Sequence, residues 1–299
     1  MTHPPQFEAL AEGLLVRAPA KLNLSLLIAG KRPDGFHEIE TVMAKIDWYD
    51  EVRLEPGPPG IDLTCNGLHW APQGKENLVY RAAEEVFREA GRTAGVRLTL
   101  TKNIPAGSGL GGASSDAAAT LMGLNRYFDL GLSPHHLTEV AGRLGSDVAF
   151  FFGGPLALCT GRGEKITPLD VTFDFAALLI LPDINVSTAK VYANYTHDES
   201  KYRQWRLRAN EYLSKNRIDF VARMCANMLE ASCYRVLPEL GQLKETVESL
   251  GIGSVCLSGS GSTLYVMVRD TDSGRLGSLR DRIAGKTGCR CIVVGNNSW

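Results

Sequence analysis

A chain of 299 residues with 44% hydrophobic side chains can fill one large core or two moderate ones. Its formal net charge of −1, without a long basic block, argues against charge-driven binding to nucleic acid or a membrane surface. Seven cysteines, an odd number with no paired spacing between Cys65 and Cys291, argue against a disulfide framework and for seven free thiols in a reducing compartment. Residues 1–8 lack a basic start followed by an apolar run, and no window approaches a membrane span, so a cytoplasmic location is the default expectation.

Residues 14–19 read as a strand reaching a proline, and 21–28 alternate polar and apolar as a second extended run. Period two puts Lys21, Asn23 and Ser25 on one face, as it would for a merely solvated sheet face. Residues 30–37 are rich in turn formers and lead into strands at 38–46 and 48–55, with a sharp connection at 56–60. A long amphipathic helix spans about 76–90, with Leu78, Ala82, Val86 and Phe87 at helical spacing. A strand at 96–101 follows, with Lys102 at its end.

The stretch 102–125 concentrates the chemistry. Gly107, Gly109, Gly111 and Gly112 free the backbone for left-handed turns and close ligand approach. Ser114, Ser115 and Asp116 follow as N-cap candidates for an Ala-rich helix over 117–124. A glycine turn feeding a helix N-terminus offers unpaired N–H groups and a positive dipole end to phosphate. The Gly-x-Gly-x-x-Gly spacing fits a dinucleotide site only after a strand and before a second strand ending in an acid; Asn103-Ile104-Pro105 interrupts the approach, and a turn follows the helix. A Walker loop fails for want of a lysine after Gly112.

Further on, Ser133-Pro134 starts a helix to about residue 144. Asp147 is the single carboxylate in the apolar run 144–154, either a helix cap or a charge that needs a partner. A strand pair surrounds Gly161-Arg162-Gly163, and 175–181 is a buried apolar strand. Residues 196–216 are polar and read as a flexible excursion. Helices at 220–231 and 238–250 precede a strand at 254–257, a second glycine loop at 258–263 and a strand at 264–268. A helix at 275–284 and a strand at 291–294 end the pattern.

Residues 105–117 resemble the phosphate loop of the GHMP kinases, Pro-x-x-x-Gly-Leu-Gly-(Gly/Ser)-(Gly/Ser)-Ser-(Ser/Asp/Ala)-Ala. Residues 18–24 resemble the first motif of that superfamily in its Pro-x-Lys-x-Asn form, and 258–263 the third, Gly-x-Gly-(Gly/Ala/Ser). Arg32-Pro33-Asp34-Gly35-Phe36-His37 narrows the resemblance to the GHMP family acting on 4-diphosphocytidyl-2-C-methyl-D-erythritol in non-mevalonate isoprenoid synthesis, with Phe36 in place of the usual tyrosine. The run 144–154 resembles its Gly-Ala-Asp-Val-Pro-Phe-Phe stretch, with Ser146 and Ala149 as departures, and 185–192 its second aromatic segment.

The resemblance implies an α+β fold in two domains: an N-terminal ribosomal-protein-S5-domain-2-like nucleotide domain over 1–165 and a C-terminal ferredoxin-like α/β sandwich over 166–299. It implies phosphorylation of the substrate 2-hydroxyl by ATP with Mg²⁺. Lys21 and Asp147 are then catalytic. Pro105, Ala106, Gly107, Ser108, Gly109, Leu110, Gly111, Gly112, Ala113, Ser114 and Ser115 would hold the phosphates, with Asn77, Leu78 and Lys102 near the nucleotide and Ser115 a candidate for the metal. Asn23, Phe36, His37, Thr188, Tyr192, Gly259 and Gly261 would meet the substrate, a small molecule, with neither nucleic acid nor membrane as partner. The alternatives are a homoserine- or mevalonate-type kinase, which would not need Phe36, His37 and Tyr192, and a non-catalytic nucleotide-binding relative, which would not need both Lys21 and Asp147.

Overall fold

In the computed structural model, which describes residues 3–93, 95–171, 173–268 and 273–299, the two alternating runs before residue 30 form one strand. After β1 (Phe7–Leu10), β2 (Gly13–Lys31) pairs antiparallel along its length with β3 (His37–Pro56). Pro19 does not end β2, because it sits at a register shift: Pro19 faces Tyr49 and Ala20 faces Ile46, leaving Asp47 and Trp48 outside the ladder. β4 (Gly60–Gly67), α1 (Leu78–Glu89), β5 (Gly95–Lys102), α2 (Gly112–Tyr127), α3 (Pro134–Leu144), β6 (Leu156–Gly161) and β7 (Lys165–Pro168) complete this sheet and its helices. The sequence reading passed over β4, although Ile61, Leu63 and Cys65 alternate with polar residues; it is a half-exposed strand parallel to β5.

β3 diverges between two partners. Its first half pairs with β6 from Ile39 to Ala44, and its second half with β5 from Glu51 to Pro56. The gap between these pairings contains Asp50, fully buried, and the phosphate loop leaves β5 beside it.

The chain then builds a second, antiparallel sheet from β8 (Ala176–Leu181), α4 (Thr188–Ala193), α5 (Glu199–Ser214), α6 (Ile218–Arg223), α7 (Glu230–Val236), α8 (Pro238–Glu248), β9 (Val255–Leu257), β10 (Leu264–Val268), α9 (Ser273–Thr287) and β11 (Arg290–Gly295), with strand order β11-β8-β10-β9. All six residues of β8 are buried, as expected of an apolar central strand. The polar stretch 196–216 holds a helix and not an excursion. Asp198 caps α5 by accepting from Lys201 N at 2.9 Å, and only Tyr202 and Ala209 are buried, so the apolar stripe is too thin to show in sequence.

Apolar residues of both sheets meet in one core, Leu22, Leu24 and Ile46 with Leu179, Tyr265 and Val294. Tyr265 Oη donates to Asn23 O at 2.9 Å, so the second sheet buttresses the strand that carries Lys21. Cys225 and Cys256 are joined in a disulfide between the turn after α6 and β9, which corrects the expectation of seven free thiols. The fold brings together two positions 31 residues apart, a pairing that spacing could not reveal. Among the described residues no helix is long and apolar enough to cross a membrane.

Candidate active site

The phosphate loop is pinned where it enters and where it leaves. Asp50 Oδ1 accepts from Asn103 N at 2.6 Å and Ile104 N at 2.8 Å, fixing the chain as it leaves β5. Gly107, Gly109 and Gly111 adopt φ values of 67°, 80° and 70°, the left-handed region that strains other residues. Gly111 is the N-cap, and α2 begins at Gly112. Ser114, Ser115 and Asp116 are therefore inside the first turns of α2 and do not cap it, a correction that leaves the first-turn N–H groups to the ligand side.

The Lys21 strand and the second glycine loop, 258–263, both converge on this loop. Lys21 N donates to Leu110 O at 2.9 Å, and Thr263 N donates to Ser108 O at 3.0 Å. Ser258 Oγ donates to Gly109 O at 2.9 Å. A Cβ on Gly109 would lie 2.2 Å from Ser258 O, so glycine is required where the loops touch. Leu110 itself is buried and contributes its carbonyl only.

Lys21 Nζ lies 3.7 Å from Asp147 Oδ2. The lysine is almost fully buried, whereas Asp147 opens to the cleft with its side chain 35% exposed. Burial pulls the Lys21 ammonium below its ordinary pKa, and Asp147 opposes that shift. Lys21 Nζ also donates to Asn23 Oδ1; Asn23 Nδ2 donates to Thr41 Oγ1 at 2.8 Å, which donates to Ser25 O at 2.6 Å. This chain fixes the Asn23 amide with its oxygen toward Lys21. Asp147 does not cap the 3₁₀ turn Ala149–Phe152, whose cap is Val148.

The pair lies in a cleft of about 950 Å³ bounded by Gly107–Gly109 and Gly111–Ser114 on one side. The far end is aromatic. His37 stands 5.2 Å from Tyr192 and 5.5 Å, edge-on, from Tyr195 between ring centroids. Burial, with Lys31 and His197 nearby, holds the His37 imidazole below its usual pKa and favours the neutral ring. Phe36, 53% exposed, lies under the Arg162 guanidinium at 5.0 Å. Thr188 and Ser260 share a hydroxyl hydrogen bond of 2.8 Å beside Gly259 in the same wall.

Several sequence candidates do other work. Lys102 is buried and donates to Asp50 and Asp116, so it does not reach into the cleft. Asn77 caps α1 by accepting from Val79 N at 2.9 Å, and Leu78 packs on the N-terminal core; neither lines the cleft. Gly261 faces the C-terminal core, where a Cβ would lie 3.2 Å from Cys233 Sγ. Ser115 Oγ is buried without a hydrogen-bond partner. The sequence reading missed Lys31, Arg162 and Tyr195 in the cleft wall; each carries an ordinary surface residue type, and only the fold gathers them.

Residues 77–154 match the GHMP kinases N terminal domain, and residues 209–278 match the GHMP kinases C terminal model. A 4-diphosphocytidyl-2-C-methyl-D-erythritol kinase of Geobacillus sp. is 39% identical over 256 residues, covering 86% of this chain and 88% of that one. The chain belongs to this family of GHMP kinases. A crystal structure of 4-(cytidine 5'-diphospho)-2C-methyl-D-erythritol kinase matches the fold with TM-score 0.75 and 30% identity, over 95% of this chain and 100% of the other. Homoserine kinase from Cytophaga hutchinsonii has the same fold at TM-score 0.74 and 17% identity, over 99% of this chain and 98% of its own. The two-sheet architecture is thus shared with that homoserine kinase, whereas Phe36, His37 and Tyr192 at the aromatic end of the cleft lie in the stretches that resemble the cytidyl family.

Proposed function

We propose that this kinase transfers the γ-phosphoryl group of ATP to the 2-hydroxyl of 4-diphosphocytidyl-2-C-methyl-D-erythritol, with Lys21 and Asp147 at the reacting end and the cytosine at the aromatic end. The observation that carries this is one cleft holding both features: the 3.7 Å Lys21–Asp147 pair beside the phosphate loop, and the His37, Tyr192 and Tyr195 cluster. Asp147 takes the proton as the substrate oxygen attacks the γ-phosphorus and the bond to the β-phosphate oxygen breaks, releasing ADP. Lys21, 3.7 Å from Asp147, offsets negative charge on the transferred group. Phosphoryl transfer depends chiefly on positioning and electrostatics, so the Asn23, Thr41 and Ser25 chain that fixes Lys21 is part of the machinery.

The phosphates would lie against the main-chain N–H groups of the loop and the start of α2. The unpartnered Ser115 hydroxyl, one residue beyond the Gly111–Ser114 stretch that lines the cleft, would be the side chain here to help hold a hard Mg²⁺ ion bound mainly through phosphate oxygens. Among the described residues there is no cluster of three or more His, Cys, Asp or Glu side chains to hold it otherwise. When bound, the ion would neutralise phosphate charge.

At the other end, a neutral imidazole offers one donor and one acceptor, which suits the amino and carbonyl edge of cytosine. Tyr192 supplies a ring face, and Phe36 can stack without the phenolic hydroxyl that a tyrosine would add. Replacing Tyr192 by alanine is expected to raise KM for the cytidyl substrate about tenfold or more, on the scale of one base–aromatic stack, with KM for ATP unchanged. Steady-state kinetics with each substrate varied checks this. The reading as a whole is tested by ADP release with Mg-ATP and the cytidyl substrate, mevalonate or homoserine in parallel. Turnover of either of the last two in place of the cytidyl substrate would overturn it.

A further inference from the structure

We propose that Lys45 is a positioning residue for Asp147, gripping from behind the short segment that carries the carboxylate; the inference rests on the kinase reading above. Lys45 is 1% exposed on β3 and stands directly opposite Lys21 in the β2–β3 register. Directly opposed residues of an antiparallel pair project to the same face, so the two lysines reach the same segment from neighbouring strands. Lys21 meets Asp147 at one end of it. Lys45 Nζ donates to Phe151 O at 3.2 Å and Gly153 O at 2.8 Å at the other.

Between these grips the backbone is a succession of tight turns. Val148 N donates to Gly145 O at 3.3 Å, Phe151 N to Val148 O at 3.2 Å, and Gly153 N to Phe150 O at 3.2 Å. The last carbonyls of such a turn lack backbone partners and carry the negative end of its dipole, where a cation is favoured. Lys45 N also donates to Pro155 O at 2.8 Å, so backbone and side chain of this one residue hold both sides of Gly154.

No carboxylate pairs with Lys45 among the described residues, and burial pushes its ammonium down to about 8. A cation buried without an anion is costly, and a core position would otherwise favour an apolar side chain. What the ammonium supplies that leucine or methionine cannot is a pair of donors aimed at the back of the Asp147 turn. The segment also touches the phosphate loop, since the Phe151 ring Cζ lies 3.1 Å from where a Cβ on Gly111 would be. A shift of the turn would therefore alter both the carboxylate and its distance from the phosphates.

The test compares wild type, Lys45→Met and Lys45→Gln by amide hydrogen exchange over residues 145–153 and by steady-state kinetics. Lys45→Met keeps the length and loses both donors. It is expected to speed exchange at Val148, Phe151 and Gly153 by about tenfold and to lower kcat by about tenfold, with both KM values within about twofold, the pattern of a misplaced reacting group. Lys45→Gln keeps an amide donor on a shorter arm and is expected to lose only about threefold in each. Exchange at β8 amides should not change in either variant. Wild-type exchange and kcat in Lys45→Met, or a loss confined to KM, would overturn the inference. If Lys45→Met does not fold, Lys45→Gln decides: wild-type values overturn it and a threefold loss in both supports it. A wild-type protein inactive on the cytidyl substrate overturns the kinase reading instead, and the exchange data alone then judge the grip of Lys45 on the turn.

Discussion

Replacing Asp147 by asparagine is expected to lower kcat by about two to three orders of magnitude, and replacing Lys21 by methionine by a similar factor, on the scale of removing one transition-state electrostatic contact. Asparagine keeps the shape of the side chain but neither accepts a proton nor supplies charge to Lys21. Methionine keeps the buried stem against Gly111 but removes the ammonium that lies 3.7 Å from the carboxylate. Neither change touches the loop backbone that would hold the phosphates, so KM for ATP should move little. The two groups act on the same transferred phosphoryl group, so the double variant should be scarcely slower than the worse single one. Rapid-quench measurement of one turnover would separate this loss from slow product release. Wild-type rates in both single variants would remove Lys21 and Asp147 from the mechanism.

The parts of this site legible in the sequence are those whose chemistry demands a particular backbone. Gly109 cannot carry a Cβ beneath Ser258 O, and the left-handed φ of Gly107 and Gly111 favours glycine, so the loop announces itself. Lys21 and Asn23 were visible as a same-face pair because β2 has period two there. Asp147 stood out as a charge in an apolar run. What stayed hidden depends on long-range contacts. The divergence of β3 toward β6 and β5 places Asp50 beneath the loop, and no local pattern near residue 50 carries that information. Tyr195 and Arg162 reach the cleft from elements far apart in the chain, and Cys225 and Cys256 meet only because α6 packs beside β9. The resemblance suggests only a place near the nucleotide for Lys102 at the end of β5, whereas the fold buries its ammonium against Asp50 and Asp116.

Replacing Lys102 by methionine is expected to destabilise the protein by about 3–5 kcal/mol near neutral pH, the usual cost of removing one partner from a buried charge cluster. Lys102 donates to Asp50 and to Asp116, and all three side chains are buried. Asp50 holds the loop entry through Asn103 N and Ile104 N, while Asp116 belongs to the start of α2, so the lysine ties the two ends of the phosphate loop together. The deficit should depend on pH in a definite direction. Burial, with the charge of Asp50 adding to it, holds the Asp116 carboxyl well above the ordinary carboxylate range, and Lys102 opposes that shift. Removing the lysine raises it further. An acid whose pKa is raised by folding contributes stability below its unfolded pKa and loses it as pH rises through the folded value. The variant should therefore fall furthest behind wild type in alkali and least in acid, where Asp116 can take up a proton in place of the lost cation. Urea denaturation at several pH values reads this directly, and a deficit below about 1 kcal/mol, or one that grows on acidification, would contradict it. A lysine whose task was to touch nucleotide would give the opposite pattern, a weakened KM for ATP in a protein of unchanged stability. The geometry of the cluster favours the structural loss, with any change in KM for ATP following from displacement of Asn103 and Ile104 at the loop entry.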